Sequence, residues 1–151
     1  MLQLKKISFI LLFFEVFTAQ AQTDYYTKKG YVIEGYDLIS YFENKAEKGN
    51  KLYTKTYDGV NFMFVSQKHL DIFLKNPKQY LPQYGGYCAY AIAEKNKKVS
   101  INPKTFEIRD KKLYLFYNSW GNNTLKLWQK NILKGLQKKA DQNWNTIKEI
   151  D

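Results

Sequence analysis

Residues 51–77 read KLYTKTYDGVNFMFVSQKHLDIFLKNP. The hydrophobic period changes partway through this run, and the change decides the fold. Lys51 to Tyr57 and Asn61 to Val65 each alternate in the manner of half-buried strands. Between them stands Asp58-Gly59, a pair that tolerates the positive φ of a tight two-residue turn, so the stretch predicts a β-hairpin. Ser66 then offers its hydroxyl as an N-cap, and Leu70, Phe73 and Leu74 line one helical face as far as about Lys75. Asn76-Pro77 stops that helix.

Upstream, Gly30 to Glu34 predicts a short strand ending at Gly35, and Asp37 is placed to cap one or two helical turns carrying Leu38, Tyr41 and Phe42. Downstream, Pro77 to Tyr80 adds a turn, Gly85-Gly86 breaks the chain, and the Ala-rich segment Tyr87 to Glu94 reads as a short helix. Phe106 to Ile108 and Leu113 to Tyr117 predict a second hairpin around Asp110-Lys111. From Thr124 to Lys148, Leu125, Trp128, Ile132, Leu136, Ala140, Trp144 and Ile147 recur at steps of three or four, the stripe of an amphipathic helix that Gly135 interrupts. No internal repeat or low-complexity linker appears. The architecture expected is α+β, a small antiparallel sheet of two hairpins with packed helices.

The N-terminus has a different character. Lys5 and Lys6 precede an apolar run, Ile7 to Phe17, that closes on Ala19-Gln20-Ala21, the pattern of a secretory signal peptide cleaved after Ala21. The run is shorter than the about 20 apolar residues a membrane span needs, and Glu15 interrupts it. We therefore expect a leader over 1–21 and one domain over 22–151, exported to the periplasm or beyond, with no transmembrane span after cleavage. The chain carries a net charge of +10; removing Lys5, Lys6 and Glu15 leaves +9. The lysines are scattered as on a solvated surface, although such a surplus also suits an acidic partner such as an anionic membrane surface. Nucleic-acid binding is not expected, because Arg109 is the one guanidinium fork available for base edges. Cys88 is the single cysteine, so no intramolecular disulfide forms. Stability has to come from packing, which 13 Tyr, 10 Phe and 3 Trp can supply.

Several of these residues carry a resemblance. Phe62, Phe64, Val65 and Ser66, followed by Phe73, Pro77 and Tyr80, resemble the core signature of the YHS domain, a small module related to metal-binding TRASH-type fingers. Gly35 to Phe42, with Asp37 and Tyr41, is similar to that domain's opening Asp-Pro-Val segment. Pro82 to Ala89, with Gly85, Gly86, Tyr87 and Cys88, Leu113 to Asn118, and Asn143-Trp144 resemble an exported bacterial subfamily of YHS-domain proteins, so the likeness spans about 36–144. It implies a metal-handling ancestry. In metal-binding members cysteines fall where this chain has Ser40, Val65 and His69, and a proline falls at Leu38, so the usual thiolate site is not present in that form.

Two groups remain as candidate metal ligands, the His69 imidazole and the Cys88 thiol, with Met63 a weaker third; an imidazole with a thiolate suits copper or zinc. Cys88, after two glycines, is also placed at a helix N-terminus, where free amides favour a thiolate. Burial beneath Tyr84, Tyr87 and Tyr90 is the opposing structural reading. No Ser elbow, phosphate-cradling loop or His-rich zinc motif appears, and no catalytic residue is assigned. Two functions stay open: an envelope binding module that handles a metal ion through Cys88 and His69, or a non-catalytic scaffold that binds an envelope protein through its Tyr84 to Tyr90 segment and keeps Cys88 as structure.

Overall fold

β3 (Asn50–Tyr57) and β4 (Val60–Phe64) pair antiparallel across a turn that holds Asp58 at φ 50° and Gly59 at φ 77°. This is the left-handed pair that the Asp-Gly signal anticipates. The computed structural model describes residues 24–150; the expected leader over 1–21 lies outside the described residues. Two short strands, β1 (Thr27–Lys28) and β2 (Tyr31–Val32), extend this sheet in the order β1-β2-β4-β3. β2 runs parallel to β4 through Tyr31 and Asn61. The strand expected over Gly30–Glu34 is cut to two residues because Ile33 and Glu34 turn to positive φ and open a 3-10 turn over Ile33–Gly35.

The second hairpin, β5 (Phe106–Arg109) with β6 (Lys112–Leu115), turns at Asp110-Lys111 as expected and forms a sheet of its own. A third hairpin, β7 (Asn118–Ser119) with β8 (Asn122–Asn123), turns through Trp120-Gly121. Its strands are two residues each, too short to show an alternating period.

The helices follow their caps. Asp37 caps α1 (Leu38–Phe42), and the Ser66 hydroxyl accepts the His69 N–H at 3.2 Å to start α2 (Gln67–Lys75). α3 (Pro77–Tyr80) has proline in its first turn, where the missing N–H costs nothing. α4 (Ala89–Lys95) follows the Gly85-Gly86 break. The C-terminal stripe divides at Gly135, at φ 76°, into α5 (Thr124–Asn131), a 3-10 turn over Ile132–Lys134, and α6 (Leu136–Ile147). One position departs from the helical face: Leu74 is 44% exposed, and His69 and Phe73 are the residues α2 buries.

Two apolar cores result. In the first, Phe73 of α2 packs with ring centroids 5.4 Å from Phe62 and 5.1 Å from Phe64 on β4. In the second, Trp128 of α5 meets Tyr114 and Phe116 at 5.7 and 5.6 Å, with Ile92, Leu136 and Ala140 around them. The chain is α+β, with small sheets and packed helices. Among the described residues no helix is long and apolar enough to cross a membrane.

Gly85 shows why the break between α3 and α4 needs glycine. It sits at φ 60°, and a Cβ there would fall 1.9 Å from the Asp24 carbonyl oxygen. The N-terminal segment crosses directly over it, with the Tyr26 N–H donating to the Gly85 carbonyl at 2.9 Å.

Candidate functional site

Asp37 is fully buried and bonds in several directions at once. One carboxylate oxygen accepts the N–H of Ile39 at 2.7 Å and of Ser40 at 3.4 Å. The other accepts the Val65 N–H at 2.8 Å and faces His69 Nδ1 at 2.7 Å. A single side chain therefore ties the start of α1 to the end of β4 and the first turn of α2. His69 Nε2 lies 3.5 Å from Glu43 Oε1, just past α1, so the ring clamps α1 against α2. Ser40 and Val65, through their backbone N–H groups, and His69, through its ring, thus meet at one side chain. They meet around a carboxylate, which a buried cluster of N–H donors stabilises as an acceptor.

Cys88 belongs to a different neighbourhood. It is the N-cap residue of α4 yet makes no capping bond, and it is fully buried. Its sulfur accepts the Tyr117 N–H at 3.3 Å and lies 3.3 Å from Thr124 Oγ1. The Thr124 hydroxyl proton is committed to the Tyr117 carbonyl at 2.8 Å, so the thiol S–H is the donor toward Thr124. The backbone is held as firmly, with the Cys88 N–H on the Val99 carbonyl at 3.0 Å and a parallel bridge to Leu115.

A cavity of about 460 Å³ lies against this residue. Its inner wall is Cys88, Ala91 and Thr124, all buried, and the rings of Tyr90 and Tyr117 stand half-buried beside them. Lys95, Asn122 and Leu127 are exposed and form the outer edge. The volume falls in the range of small-ligand sites, and apolar lining with a few polar groups is their usual composition.

The remaining sequence candidates fill structural places. Met63 on β4 is 5% exposed and packs against Gly35 and Gly49. Tyr41 donates its hydroxyl to the Pro103 carbonyl at 2.8 Å, and Tyr80 meets Phe42 edge-on at 5.2 Å. Tyr87 donates to Asp24 at 3.1 Å and packs on Trp144, while Tyr84 donates to Asp141 at 2.9 Å. The rings of that segment are engaged within the chain. A metal ion shared by Cys88 and His69 would have to displace Asp37 and Glu43 from the imidazole, and Thr124 and Tyr117 from the sulfur. Among the described residues no group of three or more His, Cys, Asp or Glu is disposed to hold a metal.

Buried tyrosines give the fold a defined response to alkali. Burial, with Glu34 beside Tyr26 and Asp24 beside Tyr87, pushes both phenols from 10.0 up to about 12. Burial likewise raises Tyr114 to about 12, and its hydroxyl has no hydrogen-bond partner among the described residues. Burial, then the bond to Asp141, raises Tyr84; burial raises Tyr41 as well. Each of these groups keeps its proton in the folded chain at a pH where the unfolded chain has lost it. The contribution of Tyr26, Tyr87 and Tyr114 is complete below the unfolded value near 10 and is lost as pH rises through about 12. Denaturant unfolding at stepped pH should show stability falling from pH about 10 upward, with the phenolate absorbance of these five tyrosines appearing together with unfolding. Ionisation of all 13 tyrosines while the chain is still folded would contradict that burial.

Comparison with family models, curated proteins and solved structures gives no match for this chain.

Proposed function

We propose that this chain is a non-catalytic binding module of the cell envelope that receives a small amphiphilic ligand in the cavity over Cys88. One observation carries the reading: a cavity of about 460 Å³ with an apolar interior and a single lysine, Lys95, at its edge. An apolar body would lie on Ala91, Val99 and Leu127 between the rings of Tyr90 and Tyr117, and an anionic head would meet Lys95. Cys88 serves there as a small neutral inner wall, its sulfur occupied by Tyr117 and Thr124. The envelope location rests on the leader pattern over 1–21.

The test uses the anionic naphthalene dye ANS as probe. Saturable binding near one equivalent is expected, with Val99→Phe weakening it about ten-fold by filling the cavity and Lys95→Glu about five-fold by reversing the charge. Lys95 is exposed, so its replacement leaves the fold intact. Equal dye binding in wild type and both folded variants would refute the reading. Cuprous ion titrated into the same proteins decides the metal alternative. One equivalent bound by wild type and lost in both Cys88→Ala and His69→Ala would replace the organic ligand with a metal bridging the two groups.

A further inference from the structure

Trp120 is 98% exposed and Leu133 is 100% exposed, the two most solvent-exposed large apolar side chains described. Trp120 sits at the tip of the β7–β8 turn at φ 51° beside Gly121 at φ 74°, turn positions normally given to Asn, Asp or Gly. A bulky ring held out on such a turn packs against nothing among the described residues. The segment that follows buries Trp128 and partly buries Leu125 and Ile132. Its outer face presents Lys126, Leu127, Lys130, Leu133 and Lys134, all exposed, at steps of three and four. Between Asp110 and Asp141 the sequence holds seven lysines (Lys111, Lys112, Lys126, Lys130, Lys134, Lys138, Lys139) and no Asp or Glu.

We infer that this face, from the Trp120 tip along α5 to Leu133, docks the folded domain on an anionic lipid bilayer. Exposed leucines flanked by lysines describe a surface that lies in the headgroup region, and tryptophan is the side chain that prefers that depth. The occupant follows from charge. An acid-free stretch of 30 residues, with three lysines on the same face as the leucines, complements lipid phosphates, whose attraction acts on each lysine near the surface. The inference stands on exposure and charge; Leu127 borders the cavity as well as this face, so Trp120, Leu133 and the three lysines carry it.

The apolar run Ile7 to Phe17 would by itself favour any bilayer, so the readout has to be local: quenching of tryptophan fluorescence by brominated lipid, using the full chain. Trp128 is buried and Trp144 half-buried, so Trp120 supplies the accessible signal. Vesicles of phosphatidylcholine with about one-third brominated phosphatidylglycerol should quench it strongly, and Trp120→Phe should abolish most of that quenching. Lys126→Gln, Lys130→Gln and Lys134→Gln combined should raise the lipid needed for half-maximal quenching about a hundred-fold. Added salt should do the same. Equal quenching by uncharged brominated phosphatidylcholine, or none beyond that of Trp120→Phe, would overturn the proposal. Dimerisation in sedimentation equilibrium that Leu133→Glu abolishes would also overturn it, assigning the face to a second copy of the chain.

Discussion

Asp37→Ala is expected to lower the unfolding free energy by about 4 kcal/mol, measured by urea denaturation at neutral pH. The carboxylate is fully buried and holds three backbone N–H groups and an imidazole. Its removal strands all of them without water, and a buried donor left unpaired costs more than the bond itself contributed. Asp37→Asn separates the parts. The amide oxygen still accepts from Ile39 and Ser40, but its NH₂ cannot accept from Val65 or His69, so about half the loss is expected. His69→Ala should cost about 2 kcal/mol, since it removes the ring but leaves the helix cap and the Val65 bond in place. If Asp37→Ala cost no more than an ordinary exposed N-cap, about 1 kcal/mol, the carboxylate would not be the junction of α1, β4 and α2.

Trp128→Ala is expected to cost a comparable amount, about 4 kcal/mol. Trp128 is fully buried between Tyr114 and Phe116, and its indole N–H donates to Glu107 at 3.1 Å. Burial alone would raise the Glu107 carboxyl, but hydrogen bonds from Arg109, Gln129 and Trp128 outweigh it and hold the group below its usual range. Trp128→Phe keeps most of the ring volume and loses only the donor, for about 1 to 2 kcal/mol. Equal losses for Trp128→Phe and Trp128→Ala would mean that the polar contact, rather than ring packing, anchors α5. The same residue holds the lysine-rich face in place, so Trp128→Ala should also weaken the lipid response without touching any exposed side chain.

Those two sites differ in how far they can be read from the chain. Asp37 announces itself as an N-cap because its partners Ile39 and Ser40 are two and three residues away. Nothing local announces Val65 or His69, 28 and 32 residues distant. An imidazole on a short helix reads equally as a surface residue or a ligand, and burial against α1 makes it a clamp. Cys88 shows the same limit. Its place at the start of α4 follows from Gly85-Gly86, whereas the groups that occupy its sulfur lie 29 and 36 residues on. Leu74 misled because helical spacing locates a face without saying where its edge falls. The β7–β8 hairpin escaped because its strands are shorter than any periodic pattern.

By itself the sequence determined the elements whose causes are local: the Asp58-Gly59 and Asp110-Lys111 turns, the Asp37 and Ser66 caps, the stop at Pro77 and the division at Gly135. Backbone dihedral preferences and bonds to near neighbours act before any tertiary contact forms, so those residues specify them alone. Only the tertiary structure decided which polar groups meet, bringing Ser40, Val65 and His69 to one buried carboxylate, enclosing Cys88 with Tyr117 and Thr124, and leaving Trp120 in solvent. Burial and long-range pairing are properties of the packed layers, and no periodicity along the chain encodes them.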